Sequence, residues 1–153
     1  TRNIYQLKKR SLVIYCKSMN DVESIIHDLK LEPHPEGGRF VESFKTKEIS
    51  IIYYLLKKNE KSHWHRLTKN ETLHFYKGDP INIYLSEDGN TFTTITLGEQ
   101  NKFHYTVKAN TWFAMQSLGK YSLIGCSVAP AFEYEDFELA PSDWKPKKFN
   151  LKI

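Results

Sequence analysis

"SHWHRLTKNETLHFYKG", residues 62–78, places three histidines and a glutamate, His63, His65, His74 and Glu71, on two short runs joined by a polar turn. In an extended strand, side chains two apart point the same way. His63, His65 and Leu67 then share one face, and Trp64 and Arg66 the other. In the next run Glu71, Leu73 and Phe75 share a face, while Thr72, His74 and Tyr76 point opposite. A turn at Thr68, Lys69 and Asn70 folds the His63/His65 face over Glu71 and leaves His74 turned away. The pattern predicts two strands joined by a three-residue turn, on which imidazole and carboxylate converge. Three uses fit it: a metal site of His63, His65 and Glu71 for Zn, Fe or Mn, a metal-free acid–base pair of His65 and Glu71, or a structural hydrogen-bond pair.

Outward from these two strands the same alternation continues. Residues 39–128 hold runs such as "RFVESF", "SIIYYLL", "INIYLS", "TFTTITL", "TWFAMQ" and "YSLIGCSV", separated by turn signals such as "KKNEK", "KGDP", "SEDGN" and "SLGK". Asp88-Gly89 between two alternating runs is a hairpin signal. So many strands at close spacing predict an all-β antiparallel sandwich or barrel. One short helix precedes it. In "NDVESIIHDLKL", residues 20–31, Val22, Ile25, Ile26 and Leu29 form an apolar stripe, with Asn20 as N-cap. "EPHPEGG", residues 32–38, stops that helix and reads as a turn into the first barrel strand, whose Glu36, Gly37 and Gly38 suit the mouth of a pocket. "FEYEDFELAPSDW", residues 132–144, reads as a last strand or a cover segment.

The chain has 153 residues, the size of one domain, and a net charge of +4 that comes mostly from its ends. Residues 1–10 carry four Lys or Arg, residues 145–152 carry four Lys, and neither stretch holds an acid. Both ends are expected to be solvated, with no nucleic-acid or membrane partner. No stretch approaches the roughly 20 apolar residues of a membrane helix. Cys16 and Cys126 have no CxxC partner, which argues against a disulfide framework and fits a reducing, cytoplasmic setting. "SLVIYC", residues 11–16, is β-prone. A lone apolar strand of that kind needs a partner, its own barrel or a second copy of the chain.

His63-x-His65, five residues, Glu71, six residues and Gly78 resemble the first cupin motif. "LEPHPEGGRFVESF", "WHRLTKNETLHFYKG", "TLG", "VKANTWFA" and "SLIGCSVAPAFEYEDFELA" resemble one branch more specifically, the cupin-5 or DUF985 family of RmlC-like jelly rolls. The resemblance covers about residues 29–140. It implies a double-stranded β-helix, the cupin jelly-roll barrel, with a short N-terminal helix, one small-molecule pocket and a homodimer. The expected organisation is an N-terminal strand or arm over 1–18, a cupin domain over 19–144 and a basic tail over 145–153. The stretch matching the second cupin motif, "VKANTWFAMQ", lacks the usual metal-binding His. Within the branch pattern His65 and Glu71 match and His63 is not a defining position. Leu73 replaces a common Trp, and Ala131 replaces the Gly of VAPGF.

The resemblance therefore implies a small-molecule-binding cupin without a cofactor, a divalent metal being the alternative. Its enzyme form is an RmlC-like isomerase or epimerase acting on a sugar or other polar metabolite, with His65 and Glu71 as the catalytic pair. Glu36, Gly37, Gly38, His63 and Trp112 are the expected ligand contacts. The alternatives are a non-catalytic ligand-binding or sensing cupin and a metal-dependent cupin oxygenase.

Overall fold

A computed structural model of the chain describes residues 21–153. The expected N-terminal strand or arm over 1–18 and the Asn20 cap lie outside the described residues. The chain divides into two compact units, one ending at Lys30 and one running from Leu31 to Ile153.

The first unit contains helix α1, Asp21–Leu29. Asp21 and Glu23 stand in its first turn, where carboxylates favour the positive end of the helix dipole. The helix stops two residues before the end of the predicted stretch. Lys30 takes a φ of 56° and donates its N–H to the His27 carbonyl at 3.2 Å, a left-handed cap.

The second unit is a two-sheet β-sandwich. Its strands are β1 (Glu32–Pro33), β2 (Arg39–Lys45), β3 (Ser50–Lys57), β4 (Lys61–Leu67), β5 (Glu71–Gly78), β6 (Ile81–Ser86), β7 (Thr93–Leu97), β8 (His104–Val107), β9 (Trp112–Ser117), β10 (Tyr121–Val128) and β11 (Phe137–Leu139). One sheet has the order β1-β2-β3-β10-β5-β8 and the other β11-β4-β9-β6-β7. Every ladder between them is antiparallel. β4 and β5, consecutive in sequence, thus belong to opposite sheets, and the Thr68–Asn70 turn crosses between them. The expected three-residue turn between the two strands is a corner of the sandwich. Its inward faces still oppose one another, because each sheet turns its apolar side to the other.

Inward residues such as Leu56, Leu73, Ile83, Leu97, Phe113 and Ile124 interdigitate and are essentially inaccessible to water. "EPHPEGG" is more than a stop: Glu32 pairs with Phe40 and Pro33 with Arg39, so it forms a small hairpin at the edge of the larger sheet. An edge tolerates Pro33, which has no N–H to give. The loop between β6 and β7 is longer than a two-residue turn. Asp88 organises it, accepting the Asn90 and Thr91 backbone N–H groups at 2.8 Å each, and these bonds hold its carboxyl at about 2.

The basic C-terminal stretch was expected to be solvated, yet part of it lies against the barrel. Phe149 is buried beside Trp64, Tyr84 and Phe92, with ring centroids 5.2, 5.3 and 4.9 Å away. The Lys147 and Lys148 N–H groups bond to the carbonyls of Gly89 and Asn90. Charge counting missed this because the aromatic ring, not the lysines, decides where the strap goes; burying a ring of this size outweighs the solvation of the neighbouring backbone.

Candidate functional site

The site begins with the β1–β2 turn. Gly37 and Gly38 have φ angles of 110° and 71°, a region that L side chains rarely adopt. A Cβ on Gly37 would lie 2.1 Å from the Lys61 carbonyl oxygen, so glycine lets the turn press against β4. The Tyr54 hydroxyl donates to the Gly37 carbonyl, and the His63 N–H donates to the Glu36 carbonyl at 2.7 Å. These bonds carry Glu36, at 8% exposure, inside the barrel.

On β4 a bulge changes the alternation. Against β9, Ser62 pairs with Met115 and His65 with Phe113, so three steps on β4 match two on its partner. Ser62 and His65 both meet Glu36 inside the sandwich, whereas His63 and Trp64 do not. The shared face expected for His63 and His65 is therefore not formed. The His63 Nε2 bonds to the Pro141 carbonyl at 2.9 Å, and the residue lines a separate surface recess with Lys61 and Trp144.

His65 is fixed at both ring nitrogens. Nδ1 lies 2.7 Å from the His63 carbonyl oxygen and Nε2 lies 3.0 Å from Glu36 Oε2. A carbonyl only accepts, so Nδ1 carries a hydrogen. The Nε2–Oε2 bond then needs one more proton, held by the pair. Burial lowers the imidazole to about 4 and raises the Glu36 carboxyl, which draws that proton towards Glu36. Ser62 Oγ donates to the other oxygen, Oε1, at 2.9 Å. His34 adds a second imidazole: its Nδ1 accepts the Glu36 N–H at 3.2 Å and lies 3.8 Å from Glu36 Oε2. Burial also lowers its pKa, so both rings are neutral at pH 7.

Glu71 enters from β5 and is 8% exposed. Burial, and then the charge of Glu36, push its carboxyl up to about 8. It is a carboxylic acid at neutral pH, and it interacts with the Cys126 thiol on β10. Its Oε2 is buried with no hydrogen-bond partner. A polar atom left in that state is costly unless something else fills the gap. Burial raises the Cys126 thiol far above its usual range, which leaves it un-ionised.

His34, Glu36, Tyr54, His65, Glu71 and Cys126 line one cavity of about 310 Å³. Phe40, Ile52, Leu67, Met115, Phe132 and Phe137 form its apolar walls. Lys45, Glu133 and Tyr134, all exposed, lie where it opens. The volume is at the low end of the roughly 300–1,000 Å³ typical of small-molecule pockets.

The structure thus brings Glu36, His65 and Glu71 together. Gly37 and Gly38 shape the turn without lining the cavity. Trp112 lies outside it, with its ring 4.7 Å from Trp144 and under the Arg66 guanidinium at 4.5 Å. Trp112 belongs to the outer face of its strand, and Phe113 points inward instead. His34, Tyr54 and Cys126 are the cavity residues that sequence reasoning passed over. "HPEGG" and "SIIYYLL" contain the first two, but only the fold brings them to one point.

The metal set proposed from the sequence does not fit. His63 is directed elsewhere, and Glu36 occupies the Nε2 of His65. Among the described residues no three His, Cys, Asp or Glu side chains are grouped to hold an ion. No helix among the described residues is long and apolar enough to cross a membrane.

The crystal structure of a protein from Shewanella oneidensis is similar, with a TM-score of 0.76 and 32% identity over 80% of this chain and 85% of that one. A hypothetical protein from Leishmania major follows at 0.70 and 28%, covering 78% and 86%. Oxalate decarboxylase from Bacillus subtilis, at 0.58 and 12% identity over 70% of this chain and 29% of that one, shares the fold alone. No curated protein matches the chain. The model of the family Cupin_5, described as cupin superfamily (DUF985), matches residues 23–140, and with these strands in this order the chain belongs to that family.

Proposed function

We propose that the protein binds a small polar molecule inside the barrel, and that its enzyme form is an isomerase or epimerase working by proton transfer next to a carbonyl. One observation carries the reading: Glu71, whose buried Oε2 has no partner, lines the same cavity as the His65–Glu36 pair. Two acid–base units with pKa values driven apart are what such a reaction needs. Glu71, protonated at neutral pH, donates to the ligand's carbonyl oxygen. The His65–Glu36 pair, which titrates as a unit, takes the neighbouring carbon's proton and returns it. The expected partner of His65 was Glu71; Glu36 Oε2 lies 3.0 Å from His65 Nε2 instead, and the proposal gives Glu71 the role of acid.

The test is deuterium exchange. The protein is incubated in D2O with sugars, nucleotide sugars and keto-acids, and incorporation beside the carbonyl is followed by NMR. Exchange that needs both His65 and Glu71 supports the enzyme. Ligand binding without exchange supports a non-catalytic binding or sensing protein. That second reading is favoured by one feature: His65 and Glu36 already satisfy each other without a ligand.

The proposal includes a homodimer, no nucleic-acid partner and a cytoplasmic setting. The β-prone "SLVIYC" and the family resemblance support the dimer, and sedimentation at micromolar concentration tests it.

A further inference from the structure

We propose that the part of the ligand held in the cavity is uncharged: a carbonyl- or hydroxyl-bearing head group is accepted, and carboxylates and phosphates are turned away. This rests on the small-molecule reading above and names its ligand class.

Charge inside the cavity carries the argument. Its lining holds four carboxyl residues, Glu36, Glu42, Glu71 and Glu133, and one cationic side chain, Lys45. Lys45 is at the opening, and its Nζ lies 3.4 Å from Glu133 Oε1. Among the described residues no arginine lines the cavity, and Lys69, close in sequence to Glu71, pairs at 2.7 Å with Asp136. The imidazoles do not replace a cation. The His65 Nδ1–H is spent on the His63 carbonyl, and the His34 Nδ1 accepts the Glu36 N–H. An anion placed here would lose its hydration with no buried cation to compensate its charge.

A cation is not required either. Ser62 Oγ and His65 Nε2 occupy the two oxygens of Glu36. Glu71, which lines the cavity, has one buried polar atom without a partner, Oε2, and a neutral carbonyl or hydroxyl oxygen completes it with a single hydrogen bond. Phe40, Phe132 and Phe137 supply apolar wall for the C–H side of such a molecule.

The experiment compares matched compounds at pH 7 by ligand-observed NMR on the wild type, His65→Ala and Glu71→Gln. The probes are glucose, gluconate and glucosamine, glyceraldehyde against glycerate, and pyruvamide against pyruvate. The expected result is that neutral members bind at least about tenfold more tightly than their carboxylates, a difference of about 1.4 kcal/mol. The preference should persist in Glu71→Gln, which keeps a donor and cannot ionise, and binding should vanish in His65→Ala. Tighter binding of gluconate, glycerate or pyruvate, or of glucosamine, with that binding lost in His65→Ala, overturns the inference while the cavity remains a ligand site. If no probe binds, or binding survives in His65→Ala, the small-molecule reading fails and this inference falls with it.

Discussion

His65 Nε2 lies 3.0 Å from Glu36 Oε2, and with the bonds of Ser62 Oγ and the His63 N–H to Glu36 it joins the β1–β2 turn to the bulged strand β4. Both groups are buried, and each is the other's route to a satisfied hydrogen bond. Removing either leaves one polar atom of its partner, His65 Nε2 or Glu36 Oε2, without this bond in a medium that does not solvate it. We expect Glu36→Ala to destabilise the fold by about 3 kcal/mol and to abolish ligand binding, whereas Glu36→Gln, which still donates to Nε2, loses less stability. Urea denaturation of the two variants checks this. Equal losses would mean that the hydrogen bond contributes nothing beyond packing.

Glu71 gives the fold a pH dependence of known sign. Its folded carboxyl, at about 8, binds a proton more tightly than the unfolded chain does. The stability it contributes is therefore complete below the unfolded value near 4.5 and is lost as pH rises through about 8. Wild type should lose stability relative to Glu71→Gln between about pH 5 and about pH 8.5, by up to about 4 kcal/mol. Thermal melts of both proteins across that range measure the difference, and parallel curves would contradict it. His65 acts in the opposite direction. Its folded pKa is lowered to about 4, so its contribution is lost as pH falls from 6.5 towards 4.

The two histidines of "HWH" should behave differently. His63→Ala removes one bond to the Pro141 carbonyl at the surface, worth about 1 kcal/mol or less, and leaves ligand binding intact. His65→Ala removes the centre of the cavity cluster. Thermal shift with a bound ligand separates them. Equal loss in both variants, together with stoichiometric metal in the wild type, would restore the His63–His65–Glu71 metal site.

Gly37 is a steric prediction. A methyl there meets the Lys61 carbonyl in a conformation that already strains an L residue. Gly37→Ala should cost at least about 2 kcal/mol and move Glu36 away from His65. A crystal structure of the variant with the turn unchanged would refute this.

Phe149 tests the C-terminal strap. Phe149→Ala empties the space between Trp64, Tyr84 and Phe92 and should cost about 3 kcal/mol, without altering the ligand preference of the cavity. An unchanged melting temperature would show that the strap is not held by its ring.

Local alternation and turn chemistry determined that this chain is an antiparallel β-sandwich or barrel, because strand period and breaker residues act over a few neighbours, and the ordered motifs from "HPEGG" to "DFEL" carried the resemblance to the cupin family. They also placed His65 and Glu71 inside and Glu36 at the cavity. Three things were decided only by tertiary structure. The first is the bulge between Ser62 and His65, which separates His63 from His65; one extra residue against a partner strand leaves no mark in the alternation itself. The second is the choice of Glu36 as the partner of His65, which depends on Gly37 lying against Lys61. The third is the position of Trp112 and Phe149 on the outer face, where apolar residues of either parity pack once a C-terminal strap covers the sheet. Each depends on which chain segment lies opposite, and that information belongs to the fold as a whole.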